Sequence, residues 1–374
     1  MANRENRKPD LILLGVSVAL LIFGILVLAS VSASVSQEKF GNSYYYLWHQ
    51  FSLGIIPGLI LAFLAYRTGL NKFKKFIPLI FLGNLVMLGL VFTPLGITAG
   101  GATRWLNLGL FSVQPAEFLK LTFILYLAAW LSTKTEKKTE IEKSKNNCWQ
   151  TLFVFAMVLG IIGAFLFGQR DMSTFAIIAF TGTIMYFLAN TPVFHMLLLG
   201  VLGVGGFLFF ILKESYRQDR LSVFFKHQTE PLGIGYQISQ ALIAVGSGGI
   251  FGLGLGMSRQ QFGGFLPESM SDSIFAVFAE ETGFAGCFVL ILLFLTFFWR
   301  GFKISKGSQD AFSKLAALGI TFWIIFQTLI NMGSMTGILP LSGIPLPFFS
   351  YGGSALVAEL AGVGILLNIS RFKS

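Results

Sequence analysis

Residues 11–31 read LILLGVSVALLIFGILVLASV, an apolar stretch without one charged side chain. Wound as an α-helix at 1.5 Å per residue, it is about as long as a bilayer core of roughly 30 Å is thick. Similar runs recur down the chain. Hydrophobic residues make up 54% of the 374 and charged residues only 12%. The runs are continuously apolar, with Gly and Pro inside them, whereas strands of a closed barrel alternate with period two. The fold class is therefore an all-α polytopic membrane protein.

Ten spans are predicted: 11–31, 47–66, 76–92, 115–131, 149–167, 174–189, 193–212, 272–299, 315–335 and 348–369. The division between the sixth and seventh rests on the turn signal Asn190-Thr191-Pro192. A cytoplasmic N-terminus puts most of the 27 Lys and Arg inside, among them Arg4, Arg7, Lys74, Lys75, Lys134, Lys145, Arg300, Lys303 and Arg371. Both termini are then cytoplasmic. The net charge of +10 reads as topology and attraction to anionic lipid, not as nucleic-acid binding. The first run ends in Ala29-Ser-Val-Ser-Ala33, as a cleaved signal would, but is longer than a signal's apolar core, so an uncleaved first span is expected. Cys148 and Cys287 fall at opposite membrane ends and offer no disulfide framework.

Within this single unit, residues 1–374, two loops stand out. Residues 132–147 are rich in Lys, Glu and Thr and predict a solvated, mobile cytoplasmic loop. Residues 214–271 form a long exterior loop between the seventh and eighth spans, and loops of that length are usually functional or disordered. Its aromatic residues argue for order, and Ile238 to Val245 suits an amphipathic helix at the membrane surface. The glycine run Gly246-Ser-Gly-Gly-Ile-Phe-Gly-Leu-Gly-Leu-Gly256 fits either close approach to a ligand or a tight re-entrant turn.

Chemistry concentrates where the exterior loop meets the eighth span, in Leu266-Pro-Glu-Ser-Met-Ser-Asp-Ser-Ile-Phe-Ala-Val-Phe-Ala-Glu-Glu281. Carboxylates are costly in hydrocarbon unless paired, so Glu268, Asp272, Glu280 and Glu281 call for a reason. Asp272, at the helix entrance, is the candidate general base; Glu280, two turns further in, lies too deep to share that role. Glu117 and Lys120, spaced i,i+3, fit either a structural ion pair or a cavity wall. Asp171 fits an N-cap or a ligand or metal role equally. Arg104, Arg170, Arg217, Arg220, Lys226 and Arg259 stand outside against the positive-inside bias, suited to a diphosphate or to pairing with Glu214, Asp219, Glu230 and Glu268. His49, His195 and His227 are scattered, with no metal-ligand spacing. Gly337 to Ser354 carries three prolines and reads as a rigid re-entrant loop, whose Ser350, Tyr351 and Ser354 hydroxyls fit packing or binding.

Four blocks, at residues 104–120, 236–256, 266–281 and 340–354, carry a resemblance to the shape, elongation, division and sporulation (SEDS) family, which includes FtsW and RodA. The resemblance runs nearly the whole chain. It implies a ten-span glycosyltransferase polymerising lipid II outside the cytoplasmic membrane of a bacterium, with Asp272 essential. It also implies a class B penicillin-binding protein transpeptidase as partner, other divisome or elongasome membrane proteins, and a divalent cation, Mg or Mn. Gln169-Arg170-Asp171 departs from the family's common Gln-Pro-Asp, and Ser273 stands where many members have Phe. Asn368-Ile-Ser-Arg371, Asn331-Met-Gly333 and Tyr126-Leu-Ala-Ala129 look closer to the FtsW branch than to the RodA branch.

The chemistry of that activity assigns roles. A sugar hydroxyl is a poor nucleophile at neutral pH and needs one positioned carboxylate, here Asp272, to take its proton. The lipid diphosphate that leaves needs cationic stabilisation, for which Arg104, Lys120, Arg217 and Arg220 are candidates, with Glu268, Ser350 and Ser354 as further substrate-binding candidates. One displacement inverts an α-linked donor to a β-linked product. Composition alone, with intramembrane charges and Pro/Gly-broken helices, favours a lipid-precursor flippase or transporter, an order the four blocks reverse; a non-catalytic division scaffold is the third reading, with a dispensable Asp272 as its signature.

Overall fold

The computed structural model describes residues 8–99, 101–109, 111–137, 145–189, 191–213, 223–224, 234–262 and 264–372. Eight helices among them are long and apolar enough to cross a membrane, and two shorter apolar helices, 172–188 and 193–203, occupy the places expected for the sixth and seventh spans. The protein is a polytopic helical membrane protein.

Helix α1 (Leu11–Phe40) starts where the Asp10 carboxylate accepts from Leu13 N and stops at Gly41, whose φ of 67° is left-handed. The second span is α2 (Tyr45–Gln50), one π turn (Phe51–Ile55) and α3 (Ile56–Arg67). Helix α4 (Leu70–Leu90) leads to a small sheet that an all-α reading omits. Its strands β1 (Gly96–Ala99), β2 (Ala102–Asn107) and β3 (Ser112–Val113) are antiparallel and adjacent in chain order.

Helix α5 (Pro115–Lys137) follows, with Pro115 in its first turn, where the missing N–H costs nothing. It continues past the predicted span end, and α6 (Lys145–Gly168) begins earlier than expected, so most of the predicted mobile loop is helical at its two ends. These ends continue the helices of the spans themselves, whose nucleation is already made there. Next come α7 (Met172–Leu188), α8 (Val193–Lys213), α9 (Ile234–Ser247) and a single turn, α10 (Arg259–Phe262). Helix α9 buries Ala241 and Ala244 and packs on the bundle, not merely on a membrane surface.

The last three helices are α11 (Ile274–Lys306), α12 (Ala311–Met335) and α13 (Gly353–Ser370). Helix α13 starts later than the predicted span because Phe348, at φ 66°, is still in the loop. Apolar windows of α5, α12 and α13 are 72%, 67% and 83% buried, against 22–39% for the other long spans, so these three form the centre. Where α1 begins, Asp10 takes two bonds from Arg300 Nε, at 3.0 and 3.1 Å, and its N–H donates to Ser370 Oγ, joining α1, α11 and α13.

Helix α11 is broken at Gly283, with φ 66° and ψ −167°. Into the break fits the glycine run: Phe284 N and Ala285 N donate to the carbonyls of Gly249 and Ile250, and Leu253 N and Gly254 N donate to those of Glu280 and Glu281. A Cβ on Gly283 would stand 2.3 Å from Gly252 N. The run therefore serves backbone-to-backbone packing rather than approach to a ligand. Glu280 and Glu281 face the same segment. Glu280 accepts from Ser258 Oγ and Arg259 N, and Glu281 from Gly256 N and Ser30 Oγ.

Candidate active site

The segment before α11 turns tightly. Glu268 has φ 51°, and its carbonyl accepts from Ser271 N and Ser273 N. Its exposed carboxylate accepts from Ser271 Oγ at 2.9 Å, so the structure uses it to shape the turn that presents Asp272. Asp272 is largely buried, two residues ahead of Ile274, and its carboxylate faces Gly343 of the re-entrant loop, where a Cβ would be 3.8 Å from Oδ2. Gly343 itself sits at a positive φ of 67°, where a side chain would be strained.

That loop is fixed on every side. From α12, Gln327 Nε2 donates to the Pro345 carbonyl at 3.0 Å, Asn331 Nδ2 to that of Ile344 at 2.7 Å, and Ser334 Oγ to that of Pro340 at 3.0 Å. From α7, Ser173 Oγ donates to the Ser342 carbonyl at 2.6 Å. From α13, the buried Glu359 carboxylate accepts from Phe348 N at 2.8 Å. From α2, Gln50 Oε1 accepts from Gly352 N at 3.1 Å, while His49 Nδ1 lies 2.7 Å from the Tyr351 hydroxyl. Burial, with Tyr46 and Tyr45 nearby, raises the Tyr351 phenol above its ordinary range and keeps it protonated.

Lys120 and Glu117 pair at 2.7 Å inside the bundle. The ammonium also donates to Gln327 Oε1 at 2.8 Å and lies 5.4 Å from the Trp323 ring centroid. Lys120 is thus enclosed by protein rather than presented on an open wall. Its partner Gln327 carries the connection on to the re-entrant loop.

The other candidates are placed as follows. Asp171 caps α7, accepting from Thr174 N at 3.2 Å. Arg104, on β2, donates from Nε to the Gln169 carbonyl at 3.4 Å and from Nη2 to that of Arg170, joining the sheet to the α6–α7 corner. Ser354 Oγ accepts from Gln114 N at 3.1 Å, and Ser350 Oγ donates to the Ser271 carbonyl, both within the protein. Arg217 and Arg220 lie outside the described residues. Arg104 connects to Asp272 through a path: the α6–α7 corner, then Ser173, then Ser342 and Gly343. A cavity of about 500 Å³, lined by Trp130, Lys134, Trp149 and Phe153, lies at the opposite end of α5 from Pro115. It takes no part in this arrangement.

Sequence reasoning missed Asn331, Gln327 and Glu359. Their signal was available: amides one turn apart, and a lone carboxylate, inside otherwise apolar spans.

A family model described as "Cell cycle protein", covering FtsW, RodA and SpoVE, matches residues 11–374. The chain belongs to this family. Within the FtsW/RodA/SpoVE family it is 38% identical over 98% of both chains to stage V sporulation protein E of Bacillus subtilis (strain 168). It is 34% identical, again over 98% of each, to the probable peptidoglycan glycosyltransferase FtsW of Geobacter sp. (strain M18). Among solved structures, one described as the structural coordination of polymerization and crosslinking by a peptidoglycan synthase complex matches with TM-score 0.78 at 25% identity, over 97% of this chain and 98% of that one. The rod shape determining protein RodA of Thermus thermophilus matches with TM-score 0.70 at 25% identity, over 98% and 97%.

Proposed function

We propose that this FtsW/RodA/SpoVE-family protein is a peptidoglycan glycosyltransferase that polymerises lipid II on the exterior face of the bacterial cytoplasmic membrane. The observation that carries the assignment of the base is the presentation of Asp272 ahead of α11, with its carboxylate against Gly343 of a loop held from four helices. In the reaction, a sugar hydroxyl attacks the anomeric carbon as its proton passes to the Asp272 carboxylate. The new glycosidic bond forms as the bond to the lipid diphosphate breaks, inverting the centre. Arg104 is the described candidate for the leaving diphosphate, and Arg217 and Arg220, outside the described residues, are further candidates for the same role.

Among the described residues no group of three or more His, Cys, Asp or Glu could hold a divalent cation unaided, whereas a cation carried on the diphosphate needs only one or two carboxylates. No step is assigned to it. The partner class that fits a polymerase of this kind is a transpeptidase, the class B penicillin-binding protein, and the names of the FtsW relatives favour a role in division.

The test is the full chain in proteoliposomes with fluorescent lipid II. Asp272→Ala is expected to abolish glycan strands while leaving membrane insertion intact. Strands at the wild-type rate in that variant would remove the base. Lipid translocation unaffected by the substitution, without polymerisation in either protein, would favour a flippase; neither activity would favour a scaffold.

A further inference from the structure

Three consecutive carbonyls ahead of α11 are each held by a different donor. Met270's accepts from Tyr351 N at 2.8 Å, Ser271's from the Ser350 hydroxyl at 2.5 Å, and Asp272's from Asn331 Nδ2 at 2.8 Å. The two side-chain donors have a second hold. Asn331 Nδ2 also donates to the Ile344 carbonyl, and Ser350 Oγ accepts from Leu346 N at 2.7 Å. Each therefore ties the strand carrying Asp272 to the re-entrant loop opposite it. Both residues are buried, Asn331 almost completely.

We propose that Asn331 and Ser350 are positioning residues for Asp272, fixing the direction of its carboxylate through its own backbone and that of Ser271. The argument is one of lever arms. A carboxylate is set by the Cα–Cβ bond it hangs from, and that bond is set by the peptide planes on either side. Clamping the carbonyls of Ser271 and Asp272 fixes those planes directly. Gln327, one turn before Asn331 on α12, holds Pro345, and Glu359 holds Phe348 at its left-handed φ, so the loop that bears the clamp is itself immobile. Ser350 is on this account not a substrate ligand: its oxygen is occupied by Ser271 and Leu346.

The inference rests on Asp272 as base, and the experiment separates the two. Turnover of lipid II by the full chain in proteoliposomes is measured for the wild type, Asp272→Ala, Asn331→Ala and Ser350→Ala, well below each protein's unfolding midpoint. Displacing a reacting group by about 1 Å costs on the order of 100-fold. Asn331→Ala is expected to lower kcat about 10–100-fold and Ser350→Ala in the same direction, with KM for lipid II within about twofold. If Asn331→Ala is not monodisperse, Ser350→Ala decides, since it removes one oxygen and leaves the packing intact. Wild-type kcat in the positioning variants, with Asp272→Ala inactive, overturns the proposal and leaves the base standing. A raised KM at unchanged kcat also overturns it, because it would make these residues substrate contacts. Wild-type kcat in Asp272→Ala defeats the base itself.

Discussion

At the scale of single residues, the site sets charged groups that do chemistry apart from charged groups that hold the protein together. Asp272→Asn keeps the size of the side chain and removes only its basicity, so polymerisation should fall by at least about 100-fold with the unfolding midpoint unchanged. A parallel loss of thermal stability would show that Asp272 is structural. Lys120 predicts the reverse. Its ammonium and the Glu117 carboxylate are 1% and 5% exposed, so Lys120→Ala strands a buried carboxylate and should cost about 3–5 kcal/mol. Paired with Glu117→Gln, Lys120→Met should lose less stability than Lys120→Ala alone, a difference readable by chemical denaturation in detergent. Additive losses would mean the two charges are not coupled.

At the scale of elements, the break in α11 is the feature that composition hides. A glycine inside an apolar run looks the same whether the helix passes through it or turns there. The positive φ of Gly283, with ψ near 180°, is a region almost reserved for glycine and costs about 1–3 kcal/mol for any other residue, and its added Cβ would overlap Gly252 N. Gly283→Ala should therefore lower the unfolding midpoint clearly, whereas Gly15→Ala, with nothing within 4 Å, should not. Equal midpoints would place the glycine run elsewhere. The start of α5 at Pro115 was legible because proline announces a first turn, and the re-entrant loop was legible because three prolines exclude a helix. The sheet at Gly96 to Val113 was not, since its strands are a few residues each and their pairing is non-periodic at that length. Asn331 was passed over for a similar reason: a single amide says nothing of the two carbonyls it will reach.

At the scale of the whole molecule, apolar runs were enough to read a polytopic helical membrane protein, because length and hydrophobicity decide which helices can span. What brought Asp272, Ser350 and Asn331 together was tertiary, and their separation in sequence concealed it. The topology has a direct test. A C-terminal fluorescent protein should mature, as it does only in the cytoplasm, and alkaline phosphatase fused within 101–109 should be active. An active phosphatase at the C-terminus would invert the orientation and put Asp272 on the wrong side of the membrane for a lipid-linked donor presented outside.

The interruption at Gly283 also works as a height gauge. Residues 284–299, up to the basic Arg300, rise about 24 Å at 1.5 Å per residue, most of the thickness of the hydrocarbon layer. The stub from Ile274 to Thr282 adds about 13 Å at most, whichever way it leans. On the proposed function, Asp272 would thereby be kept near the depth of the headgroup zone, where the sugar of a membrane-anchored donor is separated from its buried tail by little more than a diphosphate. Polymer made at that altitude stays next to the lipid surface as it is extended.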